Sequence, residues 1–406
     1  MIKNAIVGQS GGPTAVINSS LAGVYEAARN RGAHTIYGMK HGIRGLLNNE
    51  LINLSEILDT SLEIELLKRT PSSFLGSCRY KLPHYNETTE PYEKIFKALE
   101  KLNIWYFFYI GGNDSMDTIM KLSDYAKEIG SKISFMGIPK TIDNDLMITD
   151  HTPGFGSAAK YISATTKELI RDATVYGIPY VTIVEIMGRN AGWLTASASL
   201  SRSEDCEGVD MLCFPEIPFD ENKFLTRTEM LQKEKKSIVI AVSEGIKFPD
   251  GKYVCELSND AKFIDAFGHR NLTGTARYLS NLIAQNFDTK VRSIEFSILQ
   301  RCAGHITSRT DITESYQVGG AAVRAAFNGH TGEMVALKRI SNDPYQCITQ
   351  FHDVHDVANL EKKLPLDWIT PDSTDVTSEF HRYARPLIQA ELTPIFINGL
   401  QRHIKL

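Results

Sequence analysis

Short apolar runs alternate along this chain with segments whose apolar positions recur every three to four residues. The runs "KNAIVG" (3–8), "HTIYGM" (34–39), "IWYFFYI" (104–110) and "ISFMGIP" (133–139) read as strands. Between them, "TAVINSSLAGVYEAARNRG", "YEKIFKALEKL" and "DTIMKLSDYAKEIG" have the period of amphipathic helices. A second series follows from about residue 160. It has strands at 180–186, 209–215, 237–243 and 291–299, and helices in "AKYISATTKELIRDATV", "ENKFLTRTEMLQKEK", "TARYLSNLIAQNF" and around 315–328. The strands are apolar almost throughout, so they belong in parallel sheets covered on both faces. The pattern predicts two α/β lobes with a cleft between them. The polar stretch from about 340 to 380 shows no clear period and is expected to be an irregular extension.

Composition narrows the class of protein. With 406 residues the chain has room for two or three domains of about 150 residues each. The formal net charge of −4 gives no basic surplus for nucleic acid. No apolar run reaches the ~20 residues of a membrane span, and no leader pattern opens the chain, so a cytoplasmic enzyme is expected. The six cysteines include no Cys-x-x-Cys pair and are expected to be reduced thiols rather than zinc ligands.

The unusual residues fall after the strands, where open α/β sheets bind their ligands. "GQSGGPTAVIN" (8–18) offers Gly11 and Gly12 for close backbone approach to an anion, and Pro13 for a helix start. It is neither a Walker loop nor a dinucleotide fingerprint. "YIGGNDS" (109–115) sets Asn113 and Asp114 behind two glycines. Taken alone, a plain helix N-cap accounts for that pair better than a ligand does. "PKTIDND" (139–145) is harder to dismiss, because it packs Lys140, Thr141, Asp143 and Asp145 into one loop. One carboxylate there suits a general base, and the lysine suits phosphoryl transfer. Arg79, Arg189, Arg292 and Arg301 all sit at turns or strand ends, with Arg292 and Arg301 at the two ends of one expected strand. Glu244 ends another strand. Four such arginines suit an anionic ligand, since guanidinium grips phosphate with two hydrogen bonds.

In order, "GGPTAVIN", "FLGSCRY", "IGGNDS", "PKTIDND", "TPGFGSAAK", "VEIMGRNAGW", "VSEG" and "LQRCAGH" resemble the phosphofructokinases, over nearly the whole length to about residue 330. ATP-using members carry glycine at the positions of Asp114 and Lys140; this chain resembles the diphosphate-using branch, which carries aspartate and lysine. The physical sense is clear. A carboxylate at Asp114 occupies the space of a nucleotide α-phosphate and repels it. At about 4 Å and an effective dielectric near 20, that repulsion is about 4 kcal/mol, roughly a thousandfold.

The resemblance implies a fold of two Rossmann-like three-layer lobes with the active site in the cleft. A donor lobe for diphosphate and magnesium would span 1–155 plus about 305–345, a sugar-phosphate lobe 156–304, and an extension about 346–406. It implies Mg2+-dependent, reversible transfer from diphosphate to the 1-hydroxyl of fructose 6-phosphate. Asp143 would be the base, with Thr141 and Ile142 beside the substrate and Asp145 arranging metal and phosphate. Gly11, Gly12, Arg79, Asp114 and Lys140 would face the diphosphate. Met187, Gly188, Arg189, Glu244 and Ile298 would line the sugar site. Arg301 would hold the 6-phosphate together with Arg292, the latter from a neighbouring subunit of a homodimer or homotetramer. Three positions depart from the family pattern. Asn113 replaces a metal-associated aspartate, though its amide oxygen can still ligate Mg2+ beside Asp145; Ile298 replaces histidine or tyrosine, and Tyr180 replaces an arginine of the ATP-type enzymes. The altered 6-phosphate site leaves room for a longer acceptor such as sedoheptulose 7-phosphate. An ATP-dependent phosphofructokinase and a noncatalytic sugar-phosphate-sensing subunit are the alternatives. Allosteric control is left open.

Overall fold

A computed structural model describes residues 3–175, 177–258 and 272–406. The chain opens with β1 (Asn4–Gln9), α1 (Ile17–Asn30), β2 (Ile36–Met39), α2 (Gly42–Leu47), β3 (Leu51–Asn53) and α3 (Ser61–Arg69). Next come α4 (Glu90–Lys101), β4 (Ile104–Gly111), α5 (Asn113–Glu128), β5 (Ser134–Pro139) and α6 (Phe155–Ala173). Then follow β6 (Tyr180–Ile186), α7 (Trp193–Ser197), β7 (Met211–Cys213), α8 (Glu221–Glu234), β8 (Ser237–Ser243), α9 (Thr275–Asn286) and β9 (Lys290–Glu295). The remainder is α10 (Leu299–Cys302), α11 (Arg309–Phe327), β10 (Glu333–Asn342), β11 (Tyr345–Asp353), α12 (Ser378–Ala384) and a two-residue hairpin pair, β12 (Phe396–Ile397) and β13 (Leu400–Gln401).

The chain divides into two compact units. The first comprises Met1–Ser157, Arg301–Glu361 and Gln389–Leu406, and the second Ala158–Gln300 and Lys362–Ile388. The first is built on a seven-stranded sheet in the order β11-β10-β5-β4-β1-β2-β3. Its inner strands are parallel, while β3 and β11 pair antiparallel at the two edges. The second has a four-stranded, all-parallel sheet, β7-β8-β6-β9.

The alternation of side chains across the first sheet explains why its strands read as unbroken apolar runs. Ala5, Val7, Tyr106, Phe108 and Ile110 pack with α1 and α11 on one face. Ile6, Phe107 and Tyr109 pack with α4 and α5 on the other. Both faces are dry, so the strand interiors are apolar nearly throughout. Full burial of each large side chain contributes about 1.5–3 kcal/mol. Among the described residues no helix is long and apolar enough to cross a membrane, and all six cysteines are free thiols.

Three expectations need correction. Helix α1 starts at Ile17, not at Pro13, so the Gly11–Gly12 turn stands before the helix rather than on its first turn. The run 291–299 is not one strand: β9 ends at Glu295, Ser297 takes a φ of 42°, and α10 follows. Arg292 therefore lies within β9 and Arg301 on α10. The stretch expected to be irregular from about 340 is entered by the long β10–β11 hairpin, and β11 lies wholly within it. Most of β11 is half-buried or exposed, as an edge strand with one covered face should be, which hides it from a search for apolar runs.

Helices α1 and α11 approach closely because glycine stands at their crossing. A Cβ at Gly23 would lie 2.1 Å from the Tyr316 carbonyl oxygen, and one at Gly319 would lie 2.1 Å from that of Ser20. Both obstacles are backbone, so neither can turn aside. Gly23→Ala should therefore cost about 1–3 kcal/mol by overpacking, seen as a lower denaturant midpoint. An unchanged midpoint would contradict this packing.

Candidate active site

The chemistry-bearing residues of the first unit gather at the carboxyl ends of β1, β4 and β5. After β1 the chain turns through Gly11, which has a φ of +76° and so favours glycine. Its amide donates to the Cys78 carbonyl at 3.2 Å, and its own carbonyl accepts from Ser77 Oγ at 2.5 Å. These bonds tie the "GGP" turn to the segment that carries Arg79.

Lys140, just past β5, is only 3 % exposed. Its amide donates to the Gly111 carbonyl at 3.0 Å, and its Nζ donates to the Gly12 carbonyl at 2.7 Å. A Cβ at Gly11 would lie 3.2 Å from that Nζ, and one at Gly12 would lie 3.1 Å from Arg301 Nη1. Glycine leaves two cations room beside this turn. Burial pulls the Lys140 ammonium down to a pKa of about 8, and Arg301 and Arg79 push the same way, while Asp143 and Asp145 oppose them. Lys140, Asp143, Asp145, Arg301 and Arg79 thus share one electrostatic environment. Arg301 was assigned to the sugar 6-phosphate, and its guanidinium lies by the donor turn.

Helix α5 begins with Gly112 as N-cap and Asp114 in its first turn. No side chain caps it, so the N-cap reading of Asn113 and Asp114 is not realised. A first-turn carboxylate is favoured by the helix dipole. Asn113 has other work. Its Nδ2 donates to the Leu360 carbonyl, and its Oδ1 accepts from the Asn359 amide. Both ends of the amide thus hold the 359–360 backbone, which competes with the metal role expected of Asn113.

The loop carrying Thr141, Ile142, Asp143 and Asp145 is closed on itself. The Thr141 amide donates to Pro153 O at 3.2 Å. The hydroxyl of Thr152 donates to Thr141 O at 2.8 Å, and its amide to Asn144 Oδ1 at 3.0 Å. Asn144 is fully buried with a φ of 56°, a conformation its short amide tolerates. Thr141 Oγ1 accepts from the Asp143 amide at 3.1 Å. Past the loop, buried Asp311 accepts from the amides of Gly154 and Ser157, each at 2.9 Å. Sequence reading missed Asn144, Thr152 and Asp311, whose polar side chains serve the backbone. The one local signal was a run of small polar residues around the apolar positions.

Of the loop carboxylates, Asp145 offers the hard oxygen donor that suits Mg2+, which takes one or two carboxylates plus substrate phosphates. Among the described residues no three His, Cys, Asp or Glu side chains converge as a metal cage.

In the second unit, the ends of β6 and β8 bring Met187, Gly188, Arg189 and Glu244 together. The Gly188 amide faces Glu244 Oε1 at 3.4 Å, and its carbonyl accepts from Ser243 Oγ at 2.6 Å. The Met187 amide donates to Gln300 Oε1 at 3.3 Å. A Cβ at Gly245 would meet Arg189 O at 1.8 Å, so this crossing also requires glycine. Glu185, one strand residue earlier, is pushed up to about 7 by burial, although it accepts from the Ala276 amide at 2.8 Å. Arg292 is exposed in β9, opposite Thr182. Ile298 is 56 % exposed, and Tyr180 begins β6.

Comparison with known proteins agrees with this geometry. The family described as Phosphofructokinase matches residues 4–326. The chain is 40% identical to the pyrophosphate–fructose 6-phosphate 1-phosphotransferase of Halomonas elongata, over 99% of this chain and 96% of that one. It is 39% identical to the protein of the same name from Methylococcus capsulatus, over 100% and 96%. The crystal structure of the pyrophosphate-dependent phosphofructokinase from Nitrosospira multiformis superposes with a TM-score of 0.90 at 37% identity, covering 100% of this chain and 96% of that one. The match spans both units and every motif at the strand ends, and the chain belongs to the phosphofructokinase family.

Proposed function

We propose that this chain transfers one phosphoryl group from diphosphate to the 1-hydroxyl of fructose 6-phosphate, reversibly, giving fructose 1,6-bisphosphate and phosphate. The observation that carries the reading is the buried Lys140 ammonium, held at the Gly12 carbonyl beside Asp143 and Asp145. A cation fixed there offsets the negative charge that spreads over the transferred group and the leaving phosphate. Gly11 and Gly12 give diphosphate close access to backbone, and Arg79 and Arg301 add positive charge. Asp114 disfavours a nucleotide by occupying and charging the space of its α-phosphate.

Asp143 takes the proton of the attacking hydroxyl. Its position is set by the bond from its own amide to Thr141 and by the closed loop around it. Asp145 would hold Mg2+ together with the phosphates, and the ion supplies charge neutralisation between them. Met187, Gly188, Arg189 and Glu244 are assigned to the sugar hydroxyls, and Arg292 to the 6-phosphate across a homodimer or homotetramer contact. Several relatives carry a diphosphate-using name, which supports the choice of donor.

Replacing the base tests the chemistry. Asp143→Ser should lower kcat about 10²–10⁴-fold while the thermal midpoint stays near that of the parent. A folded variant with near-normal kcat would refute the assignment. Lys140 gives a pH test. Its ammonium must be present, and burial holds its pKa near 8, so kcat/KM for diphosphate should fall as pH rises through about 8. In Lys140→Arg, which stays charged, that fall should disappear. A parent profile flat from pH 7 to 9 would contradict the role of the ammonium.

A further inference from the structure

His151 takes no part in the transfer described above, yet it is 1 % exposed and both of its ring nitrogens are engaged. Nδ1 lies 2.7 Å from Asp150 Oδ1, and Nε2 lies 2.7 Å from Glu314 Oε2 on α11. A neutral imidazole donates from one nitrogen only. With two carboxylates as partners, the second nitrogen would then face an oxygen lone pair to lone pair. The protonated ring donates to both.

The surrounding charges point the same way. Arg339 on β10 donates to Asp150 Oδ1 through Nε at 3.1 Å and Nη2 at 2.9 Å. Tyr345 on β11 donates to Glu314 Oε1 at 2.6 Å, and Cys347 lies nearby. Asp150 and Glu314 are balanced by Arg339 and a charged His151. Without that proton the two carboxylates lose one of the positive charges that face them, which is costly in a buried setting.

The cluster sits at the far end of the catalytic loop. Thr149 Oγ1 donates to His151 O at 2.8 Å and accepts from the Leu337 amide at 3.0 Å. The Asp150 amide donates to Leu337 O at 2.8 Å. The neighbouring residue, Thr152, makes the two bonds to Thr141 and Asn144 that close the loop around Asp143. We propose that His151 is a positioning residue: its protonated ring bridges Asp150 and Glu314, anchors Thr149–Thr152 to β10 and α11, and so holds the loop that presents Asp143 and Asp145. The loop is locked while His151 keeps its proton. This inference rests on the reading of Asp143 as the base.

Burial opposes the charge, but Glu314 and Asp150 override it and raise the ring to about 9. Because the folded-state value lies above the ordinary histidine value of about 6.5, the folded state binds the extra proton between the two. The contribution of the clamp is complete below about 6.5 and is lost as pH rises through about 9.

The test compares the full-length parent with His151→Gln and Glu314→Gln. Ring NMR of the parent, with His151 identified by its loss in His151→Gln, should show a doubly protonated ring at pH 7.5. Glu314→Gln should titrate that ring at lower pH. Amide exchange over 141–154 should be at least about tenfold faster in either variant. His151→Gln should lose roughly a hundredfold in kcat, the scale of a small misplacement of a reacting group, with KM for diphosphate little changed. A neutral ring at pH 7.5 would overturn the proposal. So would a folded His151→Gln with parental kcat and parental exchange over the loop. If His151→Gln fails to fold, Glu314→Gln decides by the same exchange and titration. The exchange and NMR arms do not depend on catalysis, so an active Asp143→Ser would remove the base assignment and leave the clamp standing.

Discussion

The hydrogen bond from Lys140 Nζ to the Gly12 carbonyl is the contact on which the donor side depends. It draws together the ends of β1 and β5, which are not neighbours in the sheet but flank β4. It also places an ammonium where water is excluded. Charge is worth more there than in solvent, but it is held only because Asp143 and Asp145 offset the cost of burial. The glycines at 11 and 12 are the steric counterpart of the same contact, since a side chain at either would crowd Lys140 or Arg301. The position of Lys140, the placing of Asp143 and the glycine requirement are therefore one arrangement.

Around that contact the structure spends many polar side chains on backbone. Asn144, Thr152 and Asp311 each satisfy amides or carbonyls of the loop and of the turn into α6. Such bonds contribute about 1 kcal/mol each in net terms, but leaving a buried partner unsatisfied costs more. The loop is thus held by the penalty for opening it. The His151 cluster extends this logic with charge in place of neutral hydrogen bonds.

The strands were legible because both faces of each sheet are dry, so β4 and β8 read as continuous apolar runs and their ends marked the site. The β10–β11 hairpin was not legible, because an edge strand with one exposed face resembles a polar loop. Pro13 does not open the helix: a proline suits a first helical turn, yet α1 begins at Ile17 and Pro13 stays in the turn before it. The clustering of Lys140, Asp143 and Asp145 in one loop was visible from local spacing. The convergence of Arg301 on Gly12 was not, since β9 ends early and the chain reverses at Ser297. Nor was the partner of His151, which lies 163 residues away on α11. Local sequence reveals which groups are present, while distant pairing is decided by the sheet order.

The most direct measurement is a donor comparison on the purified protein, with fructose 6-phosphate and magnesium and either diphosphate or ATP, following fructose 1,6-bisphosphate. Turnover with diphosphate and little with ATP is expected from Asp114 at the start of α5 and a buried Lys140. Turnover with ATP alone would contradict it, because a nucleotide would then fit where Asp114 should exclude it.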